Sequence, residues 1–485
     1  MKKLTQQDVF EVIAAQFPFE PTGDQTLMTE RLSEFLIRFR EPSLFVMKGY
    51  AGTGKTTMVG AFVRALKEFN LQAVLLAPTG RAAKVLANYS GQQAFTIHKK
   101  IYKTVINEFG GHRMTLQKNP HRNTIFIVDE ASMIPDLNIS PESSIFAIRS
   151  LLEDLVNYVH SGINCKLVLV GDTAQLPPVG LDMSPALDLE FMQHTFDCEI
   201  FSEEMREVVR QSQDSGVLYN ATMLRIKLAT HDFSLPLFDL NHYTDIKKID
   251  GSELEDALNT AHSKYAIDEI AIVTRSNKRA NLFNQEVRNR LLFREEMLSG
   301  GDLMMTLRNN YFWLPETSDI GFIANGDMLE IQRIRGFEDM YGFRFANVSL
   351  RLTDYPDEPN LDVKLLLDTI SAETPALSYK DSSRLWSEVS KDYEHIPNKR
   401  NRFAAIKQNP YLNALQVKFA YALTAHKTQG GQWKAIFVDM GYFTDEMLNA
   451  EFLRWLYTAI TRATETVYLV NFSDQFMVSE GKFLK

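Results

Sequence analysis

The stretch GYAGTGKTT, from Gly49 to Thr57, limits the architecture of this chain more than any other. It satisfies the pattern G-x-x-x-x-G-K-[ST]. Glycines there let backbone N–H groups converge on phosphate oxygens, and the next helix presents its positive end. SLFVMK (43–48) reads as a buried strand entering the loop, and a helix is expected from Lys55 to about Phe69. Gly49, Ala51, Gly52, Thr53, Gly54, Lys55, Thr56 and Thr57 are therefore the expected phosphate cradle. In such a cradle Lys55 reaches the β- and γ-phosphates and Thr56 holds Mg²⁺.

Other short apolar runs, AVLLA (73–77), TIFIV (124–128) and KLVLV (166–170), alternate with helical patterns or turns. That alternation predicts an α/β fold with a parallel sheet wrapped by helices. FIVDEAS (126–132) ends a strand in two acids. Asp129 is expected to hold Mg²⁺, directly or through water, and Glu130 to orient and deprotonate the attacking water. LVLVGDTAQLPPVG (167–180) ends a third strand in a polar turn, placing Gln175 to sense the γ-phosphate on a loop stiffened by Pro177 and Pro178. TVINEFGGHRMTLQ (104–117) has the shape of a hairpin turning at Gly110-Gly111.

The 485 residues allow two to four domains, and 45% hydrophobic with 23% charged residues fit a soluble globular protein. Two cysteines, Cys165 and Cys198, are too few for a disulfide framework or zinc cluster and read as thiols of a reducing compartment. With no secretory signal and no apolar run near the roughly 20 residues that span a bilayer, a cytoplasmic location is expected. The net charge of −9 argues at first against nucleic acid, but the charges are segregated. Between Glu68 and Asp129 the only acid is Glu108, against Arg81, Lys84, Lys99, Lys100, Lys103, Arg113, Lys118 and Arg122. A second basic run holds Arg275, Lys278, Arg279, Arg288, Arg290 and Arg294. Local basic tracts on an acidic protein suit an electrostatic groove; the alternative is ordinary solvated helix faces.

A second α/β set starts near residue 232. AIVT (271–274), VKFAYA (417–422), AIFVD (435–439) and TVYLVN (466–471) read as strands, with a helix near 448–462. Between them DMLEIQRI, FRFANVSLRL and LDVKLLL alternate as strands and lead into charged, helical sequence, so 327–411 reads as an inserted β-rich module. LYTAITRATE (456–465) puts Arg462 near a helix end, and YALTAHKTQGGQW (421–433) puts a polar turn just after a strand. Neither pattern suits core packing.

The motifs GYAGTGKTT, APTGRAAK (77–84), TIHK (96–99), VDEASM (128–133), GDTAQLPPVG (171–180), EVVRQ (207–211), NGDMLEI (325–331), AHKTQG (425–430) and YTAITRA (457–463) occur in the order of one family. The chain resembles superfamily 1 helicases of the RecD-like type, related to the Dda and Pif groups. The resemblance implies two RecA-like lobes with ATP in the cleft between them and single-stranded DNA across their tops. The first lobe is expected at 1–95 and 124–230, with a hairpin insert at 96–123. The second is expected at 231–326 and 412–485, with an SH3-like insert and helical tail at 327–411.

The resemblance also implies site roles. Gln25 reads adenine, and Gly430 joins the ATP site. Arg210 and Arg462 contact the γ-phosphate, Arg462 from the opposite lobe, so that it acts only when the cleft is closed. Thr79, Gly80, Arg81, Lys84, Thr96 and His98 on one lobe, and Thr424, His426, Lys427 and Thr428 on the other, contact DNA. Phe109 at the hairpin tip is the wedge against the last base pair. The implied activity is Mg-ATP-driven 5′→3′ unwinding by a compact monomeric motor. Single-stranded-DNA-binding, recombination, processivity or nuclease partners would be other chains. The rival readings are a phosphotransferase or GTPase using the same loop, a translocase that strips proteins from DNA without unwinding, and an RNA helicase. The tail at 379–408 matches no motif and is given no site.

Overall fold

The computed structural model describes residues 5–38, 42–106, 112–135, 150–209, 214–241, 243–314, 318, 322–355 and 358–478. Six parallel strands build the first lobe, in the order Ala94–Thr96, Gln72–Ala77, Arg122–Val128, Ile163–Gly171, Ser43–Gly49, Glu199–Met205. The inner strands carry continuous apolar runs because helices cover both faces, and successive side chains enter opposite cores. Leu44, Val46, Phe126, Val128, Leu167 and Leu169 pack towards helix Leu151–His160. Their neighbours Phe45, Met47, Ile125, Ile127, Val168 and Val170 pack towards helices Gly23–Ile37 and Lys55–Glu68. The phosphate loop, Asp129 and Asp172 follow the carboxyl ends of three of these strands, the edge where open parallel sheets bind ligands.

The second lobe is also all-parallel, in the order Ala422–Thr424, Ile270–Thr274, Trp433–Asp439, Ala463–Val470, Ile246–Ile249. The fold is thus α/β with two RecA-like lobes. Helix Gly216–Ala229, expected at the end of the first lobe, instead buries Val217, Ala221 and Leu224 in the second lobe's core with Ile246 and Leu456. VKFAYA, expected as one strand, is divided: Leu415–Phe419 joins a barrel and Ala422–Thr424 joins the sheet.

That barrel closes through Leu303–Thr306, Met328–Met340, Phe343–Leu352, Leu361–Leu366 and Leu415–Phe419. It therefore recruits strands on both sides of the 327–411 module expected from sequence, because closure needs a first and last strand to pair with each other. Helices Tyr379–Lys391 and Lys399–Lys407 lie against it, burying Leu385, Val389 and Ile406 with Phe343, Phe345 and Leu366. Strands Tyr102–Ile106 and His112–Leu116 pair antiparallel in the first lobe's insert. Phe109 lies outside the described residues.

The second basic run does not form a groove. Arg279 is paired with Asp439, Arg290 with Glu286 and Glu255, and both Arg288 and Arg294 with the fully buried Asp302. These arginines neutralise acids within the second lobe.

Candidate functional site

The phosphate loop turns where strand Ser43–Gly49 meets helix Lys55–Glu68. Gly54 takes φ +83° at the helix N-cap, and the Gln25 amide stands where a Cβ would project, so only glycine fits. Lys55 Nζ donates to the carbonyls of Gly49 and Tyr50 at 2.7 and 2.9 Å and lies 3.8 Å from Asp172 Oδ2. The loop opens into a cleft of about 380 Å³ lined by Ala51, Gly52, Gly54, Lys55, Thr56 and Thr57 on one wall. Gly430 and Arg462 of the second lobe line the other. Gly430 has φ +72° and comes so close to Thr79 and Ala82 that a side chain would collide.

Two expected members of the ATP site face elsewhere. Thr53 is fully buried and its hydroxyl donates to the Tyr50 carbonyl. Gln25 is also fully buried. Its Oε1 accepts the Thr22 N–H at 3.1 Å and its Nε2 donates to the Thr53 carbonyl at 3.1 Å. Both ends of the amide are engaged in bracing the loop, so Gln25 does not present an adenine-reading edge to the cleft. The sequence did carry the signal, since Thr22 and Gln25 have the spacing of a capping box.

Asp129 and Glu130 line the cleft together. Asp129 Oδ2 accepts from the Tyr89 hydroxyl at 2.6 Å and Oδ1 from the Glu130 N–H at 2.8 Å. Burial, then the neighbouring Glu130 carboxylate, pushes the Asp129 pKa up. Glu130 itself sits at φ +53°, a left-handed backbone that costs a non-glycine residue free energy and aims its carboxylate into the cleft. Two acids held this close in a buried site gain from a cation. Thr56 and Asp129 supply a hydroxyl and a carboxylate, hard oxygen donors of the kind Mg²⁺ takes when phosphates complete its shell. Among the described residues no group of three or more His, Cys, Asp or Glu side chains could hold a metal ion.

The lobes meet through helix Ala450–Ile460. The Tyr457 hydroxyl accepts the Ala51 N–H of the phosphate loop at 2.8 Å and donates to Asp172 Oδ2 at 2.7 Å. Thr458 Oγ1 accepts the Leu176 N–H, Gln429 Nε2 donates to the Leu176 carbonyl, and Arg454 donates to the Thr173 carbonyl. Just beyond, Arg462 Nη1 lies 3.4 Å from Glu130 Oε1 across the cleft. Arg462 Nε and Gln175 Oε1 are both buried without a hydrogen-bond partner while lining this cleft. Buried polar atoms left this way mark a place where a ligand supplies the missing bond. Arg210 lies outside the described residues. Tyr457, Asp172 and Tyr89 were not singled out from sequence, although Tyr457 stands in the same YTAITRA stretch as Arg462.

The expected DNA contacts divide. Thr79 and Thr96 cap helices, accepting from the Ala82 and Lys99 N–H groups. Arg81 donates to the Gln432 carbonyl at 3.0 Å and stacks 3.9 Å over Trp433. Lys84 donates to the Thr353 carbonyl at 3.1 Å and lies 3.9 Å from Asp354, and Asp327 and Tyr355 crowd against Gly80. Gly80, Arg81 and Lys84 therefore bind the second lobe and barrel here rather than lining an open trough. His98 is half-buried beside Tyr102, and burial lowers its pKa to about 4. Thr424 and His426 are half-buried on the facing turn, and burial lowers the His426 pKa. Lys427 donates to Asn325 Oδ1 at 2.9 Å, and burial with Lys418 nearby lowers its pKa to about 8. Thr428 is fully buried and donates to the Ala425 carbonyl, so its hydroxyl is not presented.

The family model described as an AAA domain matches residues 38–227, and that described as a UvrD-like helicase C-terminal domain matches 419–470. Protein R530 of Acanthamoeba polyphaga mimivirus is 22% identical over 91% of this chain and 98% of its own length. The ATP-dependent RecD2 DNA helicase of Deinococcus radiodurans is 32% identical over 31% of this chain, a match that spans 18% of that protein. A Bacteroides Pif1 helicase, solved in complex with ADP-AlF3 and single-stranded DNA, is 14% identical over 95% of both chains with a TM-score of 0.45. Among the described residues no helix is long and apolar enough to cross a membrane. With one family model on each lobe and the motifs in family order from GYAGTGKTT to YTAITRA, the chain is similar to the superfamily 1 helicases of the RecD/Pif1-like type.

Proposed function

We propose that this protein hydrolyses Mg-ATP between its lobes to move 5′→3′ along single-stranded DNA and separate duplex. The reading is carried by one observation: Lys55, Asp129, Glu130 and Gln175 share a cleft with Arg462 from the other lobe. Lys55 and the loop amides bind the phosphates, and Thr56 with Asp129 holds Mg²⁺, which neutralises charge on the phosphate oxygens. Glu130 accepts the proton of the attacking water. Gln175 and Arg462 meet the γ-phosphate, Arg462 offsetting the charge that develops on it. Because Arg462 and Tyr457 come from the second lobe, nucleotide state biases lobe closure, and alternating grips along the strand become movement. His98, Thr424, His426 and Lys427 hold phosphates. The contacts of Gly80, Arg81 and Lys84 with the second lobe exchange for DNA as the lobes shift.

The direction rests on the RecD-like resemblance, and DNA as the track on the activity named for RecD2. We infer a cytoplasmic monomer that works with single-stranded-DNA-binding or recombination proteins. Forked, 5′-tailed and 3′-tailed duplexes, in DNA and RNA versions, test the proposal. ATP-dependent displacement confined to 5′-tailed and forked DNA is expected. Hydrolysis indifferent to single-stranded DNA would return the chain to a phosphotransferase or GTPase reading.

A further inference from the structure

A second cavity of about 380 Å³ lies between the closed barrel and the two helices packed on it, and shares no lining residue with the nucleotide cleft. In a chain of net charge −9, no described residue lining it is acidic, while Arg308 and Lys407 contribute two cations. Three half-buried rings also line it, each braced from behind. Tyr311 lies 4.8 Å from Phe322, Phe312 meets Trp313 edge-on at 4.9 Å, and Trp386 lies 5.5 Å from Phe403. Ser382 Oγ is buried in the same wall without a hydrogen-bond partner.

The cavity is also joined to the expected DNA face. Asn309 lines it and accepts the Asn325 N–H at 2.8 Å, and the Asn325 side chain in turn accepts from Lys427. Fixed aromatic plates beside cations are what a single strand needs: bases stack on rings whatever their identity, and phosphates settle on the cations. Rings already locked by neighbours lose little freedom on stacking. We propose that this cavity between the barrel and the helices Tyr379–Lys391 and Lys399–Lys407 holds an unstacked base of the DNA strand, with its phosphate on Lys407. The inference rests on the helicase reading, and under it the helical pair supplies a second grip beyond the lobes.

The test uses the full chain and an oligodeoxythymidylate of about 20 nucleotides carrying 5-iododeoxyuridine. Photocrosslinks mapped by mass spectrometry should fall on Tyr311, Phe312 or Trp386. Trp386→Ala and Lys407→Ala should each lose them and weaken binding roughly tenfold. The melting curve of Lys407→Ala should match that of the unaltered chain, and Lys407→Arg should restore binding. Crosslinks confined to the lobes, with unchanged affinity in both variants, overturn the site and leave the cavity to a protein partner. Failure of the unaltered chain to bind any oligonucleotide overturns the helicase reading itself, which separates the two failures.

Discussion

Tyr457 donates its phenolic proton to Asp172 at 2.7 Å, and through the same oxygen it receives the Ala51 N–H of the phosphate loop. One hydroxyl thus ties the second lobe to two strand ends of the first. Asp172 is buried and its pKa is raised by burial, with Lys55 and Tyr457 opposing the rise. Tyr457→Phe keeps the ring and removes both bonds. A bond to a buried charged group contributes about 1.5–3 kcal/mol. DNA-stimulated turnover should therefore fall at least roughly tenfold while the chain still melts cooperatively. Turnover equal to the unaltered chain would reduce Tyr457 to packing.

Lys55→Ala removes the cation that the loop carbonyls and Asp172 hold at the cleft. Hydrolysis and movement should both vanish. Circular dichroism should remain that of a folded chain, because the ammonium contributes nothing to either hydrophobic core. Normal ATP turnover in this variant would remove the phosphate assignment.

Arg462→Ala should leave nucleotide binding largely intact and slow hydrolysis steeply, by roughly 10³–10⁵ if the arginine acts as comparable fingers do. Arg462→Lys should rescue little, since an ammonium lacks the planar fork that spans Glu130 and a phosphate. Equilibrium binding of a fluorescent ATP analogue and single-turnover hydrolysis separate the two effects. Loss of binding with a normal residual rate would contradict the finger role.

What the sequence made legible was local. The strand–loop–helix around Gly49, the acids at 129–130 and the two parallel sheets follow from short patterns whose physics is contained within a few residues. Contacts between distant segments were not legible. Arg81 and Lys84 look like free cations in a basic tract, yet their partners Gln432 and Thr353 lie about 270 to 350 residues away. Arg279 looks equally free until Asp439 is brought beside it. VKFAYA reads as one strand because nothing within it announces that barrel closure will claim its first half and the second sheet its last. Arg462 was identified because its motif is local, and its distance to Glu130 was not readable from that motif.

Asp302 should be among the most stability-critical acids of the second lobe. It is fully buried, takes a bidentate pair from Arg288 and a further bond from Arg294, and accepts the Ser299 N–H. Removing one member of such a cluster leaves buried charge without compensation and costs about 3–5 kcal/mol. Asp302→Ala should lower the urea midpoint accordingly. Arg290→Ala, which breaks an exposed pair with Glu286, should change the unfolding free energy by less than about 1 kcal/mol. Equal effects would mean that Asp302 is solvated in solution.

His98 gives the fold a direction of pH dependence. Its pKa falls from 6.5 to about 4, and desolvation is the cause, so the folded chain holds the imidazole neutral while the unfolded chain protonates it near its ordinary value. The unfolded state therefore binds more protons between those two values, and stability must decline as pH drops through that window. Above 6.5 both states are neutral at this site and the contribution is complete. His98→Gln should flatten the slope of melting temperature against pH between about 6.5 and 4 without altering the plateau above it. On the proposed DNA assignment it should also weaken oligonucleotide binding modestly at neutral pH, where the folded chain holds this ring uncharged. An unchanged slope would place the imidazole in solvent.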